Sequence, residues 1–273
     1  MAELSTDPAA SLLSALVAGI AVGGLCAALG VLVVQRGLAL LADGLAHASF
    51  AGIALGLLLG LSPEQSFWVA LPTTCAIAVG IGLLEQRTSV RGDAATGIFF
   101  SVAFAVGVLL LSLRPRDAPA LDLESILFGN ISAIQPSQLP FLATVLVVAS
   151  LALAATWSRL AYASFDRELA LLSGVRVAPI ETLLFVLTAA VVVVAVKTVG
   201  VFLVSAFLII PAATAQLLFR TFSGVTLFAV ILGTAGAALG VFAAHRLHAP
   251  SGATIILTLG FVFFAVLLLR RGR

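Results

Sequence analysis

The chain has 273 residues, 62% of them hydrophobic and only 10% charged, with a formal net charge of +2. A soluble domain is about a quarter charged, so these proportions exclude one and describe a polytopic membrane protein. No nucleic acid is expected as a partner.

The first ten residues, MAELSTDPAA, are acidic and polar. They lack the basic start of a secretory signal peptide, so the apolar stretch at 11–35 is expected to remain as the first span. A requirement of about 20 apolar residues per helix predicts further spans near 38–60, 66–84, 94–113, 139–157, 179–196, 199–218, 223–243 and 252–269. Cys26 and Cys75 fall inside apolar runs without CxxC spacing and read as packing residues. No shift of composition divides the chain, so residues 1–273 form one domain. Spans six and seven nearly touch at Lys197; a re-entrant helix at 198–210 would lower the count from nine to eight.

The second span, within LLADGLAHASFAGIALGLLLG, carries Asp43 and His47. Among the acidic residues Asp43 alone, and among the histidines His47 alone, is expected well inside a span. Ionisable groups at that depth usually face a cavity or a partner and mark a pathway. At i and i+4 they share one helix face. Either they pair to fix helix packing, or they line a route for a cation. Imidazole with carboxylate suits zinc, manganese or iron rather than alkali ions. One copy supplies two ligands, and a two-fold dimer with this helix at its axis would supply four.

The connection 158–178 contains FDRELALLSGV. Asp166, Arg167 and Glu168 precede Leu169 and Ala170, and Ser173-Gly174 makes a turn, which predicts one short amphipathic helix ended by glycine. It rests on lipid headgroups or docks a soluble partner. In the seventh span Pro211 removes a backbone donor deep in an apolar run, which predicts a kink or break near Phe207. Ala206, Ala212, Ala213 and Ala215 would let another helix approach closely. The last connection, HRLHAPSG, holds His245 and His248 at i and i+3; they form a solvated loop pair or a weak landing site for metal.

Positive loops tend to stay cytoplasmic. With the N-terminus outside, ten Lys or Arg residues fall in inside loops and four in outside ones, and the C-terminal RRGR is cytoplasmic. The chain has no GxxxxGK[ST] phosphate loop and no HExxH or GxSxG motif. It is therefore not expected to be an enzyme, and energy for transport must come from a partner or an ion gradient.

ADGLAHASFAGIALGLLLG, LFGNISAI, FDRELALLSGV and VGVFLVSAFLIIPAATA, in that order, resemble the permease subunit of the zinc and manganese class of bacterial ABC importers. The resemblance implies an all-α, type II importer-like permease of eight to nine transmembrane helices in a bacterial inner membrane. It implies a dimer, usually a homodimer, bound to two cytoplasmic ATPase subunits and served by an extracytoplasmic metal-binding protein. No cofactor is held permanently; Zn2+ or Mn2+ is cargo, and ATP sits on the partner. By motif, Asp43 and His47 meet metal or gate its path. The segment at about 164–178, with Asp166, Arg167, Glu168, Leu169, Ala170, Ser173 and Gly174, corresponds to the helix that couples to the ATPase. Many relatives carry an acidic residue just before the Pro-Ser-Gly of the last outside loop, where this chain has His248 and Ala249.

LAHASFAG is closer to the zinc-type members than to the SHAVLPG form of the manganese-type ones, so zinc is preferred, with manganese or iron as the alternative. Copper(I) is disfavoured by a single methionine. The expected mechanism is alternating access driven by the ATPase. The competing class is an ion-coupled secondary carrier, against which no pair of interrupted helices occurs in matching halves.

Overall fold

The computed structural model describes residues 8–90, 92–114, 139–247 and 249–271. These form ten helices: α1 Pro8–Gln35, α2 Leu40–Leu58, α3 Pro63–Arg87, α4 Gly92–Ser112, α5 Leu139–Phe165, α6 Arg167–Leu172, α7 Val177–Val199, α8 Val201–Leu218, α9 Phe222–Leu247 and α10 Ser251–Arg271. Among the described residues, all but α6 are long and apolar enough to cross a membrane. A helix satisfies every backbone donor within its own segment, as a hydrocarbon environment demands. Among the described residues nine helices meet that requirement, the number that the nine-span reading expects. Helix α7 runs to Val199, Gly200 leaves the helical region with φ +88°, and α8 then makes 18 residues of its own.

Helix starts are written locally. At LSPEQ, Ser62 accepts from the Gln65 amide while the Gln65 side chain accepts from the Ser62 amide, and Pro63 opens α3. This reciprocal cap satisfies two otherwise orphaned donors.

Helices α2 and α7 are central, each 72% buried, whereas α10 is 17% buried and faces outward. Small residues let α2 sit this deep. A methyl on Gly56 would come within 2.7 Å of Ser66 Cβ on α3, and one on Gly52 within 2.5 Å of Ala70 Cα. On the other side, Gly44 leaves room for Thr96 of α4. Where the surrounding medium is as apolar as the side chains, close backbone approach supplies the helix contact. Helix α1 packs chiefly on α9 and α8, with its Gly23 against Gly233 and its Gly30 against the Leu208 carbonyl.

Pro211 lies inside α8, and the helix assignment runs without a break through Phe207. Pro211, Ala212, Phe207 and Leu208 are all buried. Packing on both sides of the proline holds the helix together despite the missing donor. The interruption falls at Gly200 instead, where no side chain resists a positive φ.

Candidate functional site

Asp43 sits in the first turn of α2, nearer the helix end than its sequence setting suggested. It is not the sole acidic residue inside a span either, for Glu181 is buried within α7. His47 lies one turn further along α2. Its Nδ1 stands 2.9 Å from the Asp43 carbonyl oxygen and 3.5 Å from Asp43 Oδ1. A carbonyl only accepts, so Nδ1–H is the donor of that hydrogen bond. A backbone-anchored Nδ1–H is the arrangement that orients a ligating imidazole.

Two phenylalanines wall the imidazole. Phe100 and Phe104 of α4 meet its ring edge-on at 5.0 Å and 6.2 Å, and Phe50 stacks on Phe104. Asp43 stays open, with 42% of its side chain exposed against 17% for His47. From α8, Ser205 Oγ donates to Asp43 Oδ1 at 3.3 Å. The pair therefore touches itself, as a packing role requires, and also presents a carboxylate, an imidazole nitrogen and a nearby hydroxyl to the outside of one chain. Among the described residues no group of three His, Cys, Asp or Glu side chains could hold a metal ion. One copy thus brings together two such side chains, Asp43 and His47.

The short helix α6 forms where FDRELALLSGV placed it. Asp166 caps it by accepting from the Leu169 amide at 2.9 Å, and Gly174 follows with φ +81°. Tyr162 of α5 ties the turn down, its hydroxyl 2.8 Å from Ser173 Oγ. Ala170 is the residue that faces the bundle, while Leu169, Leu171 and Leu172 are 49%, 50% and 85% exposed. Beside α6 lies a cleft of about 450 Å³ lined by Arg159, Ser173, Gly174, Arg176 and Ile180. A leucine ridge next to a basic cleft is suited to a protein surface with apolar and acidic parts.

Behind α6 lies a charge cluster absent from the sequence reading. Glu181 Oε1 accepts from Arg167 Nε at 3.1 Å and stands 3.6 Å from Arg36 Nη1, in the α1–α2 turn. Arg36 Nε also donates to Ser164 Oγ at 2.9 Å. Burial lowers the Arg36 pKa, and the carboxylates of Glu181 and Glu85 oppose that shift. The span expected at 179–196 contains Glu181 near its start, and no sequence motif marked the residue.

His245 ends α9 on an exposed turn. His248 lies outside the described residues. Among the described residues, His245 forms no group with Asp43 and His47 that could hold a metal ion.

Residues 9–270 match the model of a family described as the ABC 3 transport family. The manganese transport system membrane protein MntC of Listeria monocytogenes is 32% identical over 93% of this chain and 89% of its own length. The manganese import system permease protein ScaB of Streptococcus parasanguinis is 34% identical, covering 93% and 88%. The high-affinity zinc uptake system membrane protein ZnuB of Haemophilus influenzae is 29% identical, covering 92% and 95%. Among solved structures, PsaBC from Streptococcus pneumoniae in complex with Fab superposes with a TM-score of 0.79 at 31% identity, over 94% of this chain and 90% of that one.

Proposed function

The chain belongs to the ABC 3 transport family, and from that membership we infer that it is the membrane-spanning permease of a bacterial importer for a divalent transition-metal ion. The observation that carries the metal reading is the Asp43–His47 pair: an imidazole anchored through Nδ1, one turn from a half-exposed carboxylate. Family membership favours energy from a separate ATPase over an ion gradient. The exposed leucines of α6 and the cleft beside it supply a surface on which such a subunit docks.

Two copies, related by a two-fold axis beside α2, bring two Asp43 carboxylates and two His47 imidazoles to one path. Four such ligands held rigidly would trap the ion, since closed four-ligand sites serve structure. Transport needs binding weak enough for release. An open carboxylate joined only when the copies approach meets that need. ATP binding on the partner shifts α6, α2 follows, and the path opens to one side at a time. The arginine distribution places the N-terminus outside and the C-terminus in the cytoplasm, in a bacterial inner membrane, with an extracytoplasmic binding protein delivering the ion.

Manganese is the cargo this reading prefers. The site is rich in oxygen donors, Asp43 and Ser205 beside one nitrogen, and manganese accepts oxygen more readily than zinc does. The similarity to the MntC and ScaB proteins supports the same choice. Zinc is the second reading, favoured by LAHASFAG around His47. The test is uptake of radioactive manganese by liposomes holding this chain with its ATPase, with excess zinc as competitor. ATP-driven uptake that zinc leaves untouched establishes manganese, uptake abolished by zinc moves the assignment to zinc, and ATP-independent uptake overturns the importer reading.

A further inference from the structure

Glu181 is placed where a stabilising residue would be a poor choice. Its Oε1 is shared between Arg167 of α6 and Arg36 of the α1–α2 turn. Glu181 is buried, Arg36 nearly so, and Arg167 is more than half exposed. Arg36 Nη2 and, in the first turn of α4, Asp93 Oδ1 are buried with no hydrogen-bond partner among the described residues. A buried ion group with unmet hydrogen bonds adds little stability, and apolar residues of similar volume commonly do as well.

The cluster joins three elements, α6, α7 and the α1–α2 turn. Arg167 opens α6, the helix that carries the exposed leucine ridge. Arg36 lies four residues before α2 begins, and Asp43 is one turn further on. The turn between is taut: Gly37 has φ +71° and Leu38 is 2% exposed. Arg36 is also held by Ser164 near the end of α5, which runs directly into α6.

We propose that Glu181 is a positioning residue that transmits movement of α6 to the α1–α2 turn, and through it to Asp43 and His47. This role rests on the permease reading above. A buried carboxylate cannot be left uncompensated. When α6 withdraws or advances Arg167, the share of Glu181 charge that falls to Arg36 changes, and the turn that starts α2 moves with it. Arg36 and Arg167 thus compete for one oxygen, so the state of one end sets the hold on the other.

The test uses the full chain with its ATPase in liposomes, reading ATP hydrolysis and metal uptake in the same sample, with manganese and zinc each offered alone. Glu181→Gln keeps the shape and removes the charge. The expected result is an ATPase that still co-purifies and turns over within about twofold of wild type, while metal moved per ATP falls ~tenfold, the scale of a typical coupling between sites. Arg167→Gln, whose side chain is mostly exposed and whose loss leaves the fold intact, should lower the same ratio. The double variant should be no worse than Glu181→Gln, because both remove one link. A wild-type ratio in Glu181→Gln overturns the role, as do losses that multiply in the double variant. Should Glu181→Gln fail to assemble, Arg167→Gln decides alone, and a wild-type ratio there overturns it. A wild-type complex without ATP-driven uptake overturns the permease reading itself, and is distinguished by failing before any variant is compared.

Discussion

Ser205 Oγ donates to Asp43 Oδ1 across 3.3 Å, joining α8 to α2 between residues 162 positions apart. Asp43 has a second neighbour in His47, so its carboxylate is aimed from two sides. The serine is the part of that arrangement that can be removed while the Asp43 and His47 side chains stay in place. Ser205→Ala should weaken the apparent affinity for metal severalfold. A hydrogen bond to a charged group is worth about 1.5–3 kcal/mol when buried, and less beside a half-exposed carboxylate. Ser205→Thr, which keeps the hydroxyl, should recover part of the loss. Initial uptake rates against metal concentration measure both.

Asp43→Ala and His47→Ala should each lower ATP-driven uptake by an order of magnitude or more, roughly the cost of losing one of few ligands. The ATPase should remain bound, because neither side chain approaches α6. Both side chains are partly exposed, so the fold should hold. Uptake and co-purification, measured on the same preparations, separate a pathway role from a packing one. A variant with undiminished uptake would return the pair to packing.

On α6, Leu172→Asp should reduce capture of the ATPase while leaving the thermal midpoint of the permease unchanged. Leu172 is 85% exposed and packs on little of its own chain. Gly174→Ala acts differently. At φ +81° a side chain costs about 1 kcal/mol or more, so the turn loosens and both capture and midpoint should fall. Affinity capture of the tagged ATPase and thermal unfolding in detergent give the two readouts.

Gly52→Val should destabilise the bundle by roughly 1–3 kcal/mol, the usual cost of overpacking. Its first added atom already meets the Ala70 backbone, which cannot rotate away. Gly260→Ala on α10 is the control, since nothing lies within 4 Å of an added methyl, and its midpoint should stay near wild type. Thermal unfolding of the detergent-solubilised chain compares the two.

Much of this architecture is written in the sequence because it is local. Span length follows from runs of apolar residues, which is why nine spans could be counted from composition alone. The α6 helix follows from Asp166 at its cap and Gly174 at its end, all within nine positions. The facing of Asp43 and His47 follows from a separation of four. Manganese against zinc does not follow, because the same two residue types serve both metals and the difference lies in which oxygens complete the shell.

Tertiary structure alone decided the rest. Ser205 reaches Asp43, and Arg36 reaches Glu181 and Ser164, only because α2, α5, α7 and α8 converge; no period in the chain relates such residues. Glu181 meets Arg167 of α6 and Arg36 of the α1–α2 turn, partners that its neighbours in sequence do not reveal. Pro211 lies within a continuous α8, and the contact of Gly30 on α1 with the Leu208 carbonyl falls one turn before it. A linear pattern specifies where helices run and which residues share a face. Which charges meet is settled by helix packing, where glycines such as Gly52 and Gly56 bring distant backbones within contact distance.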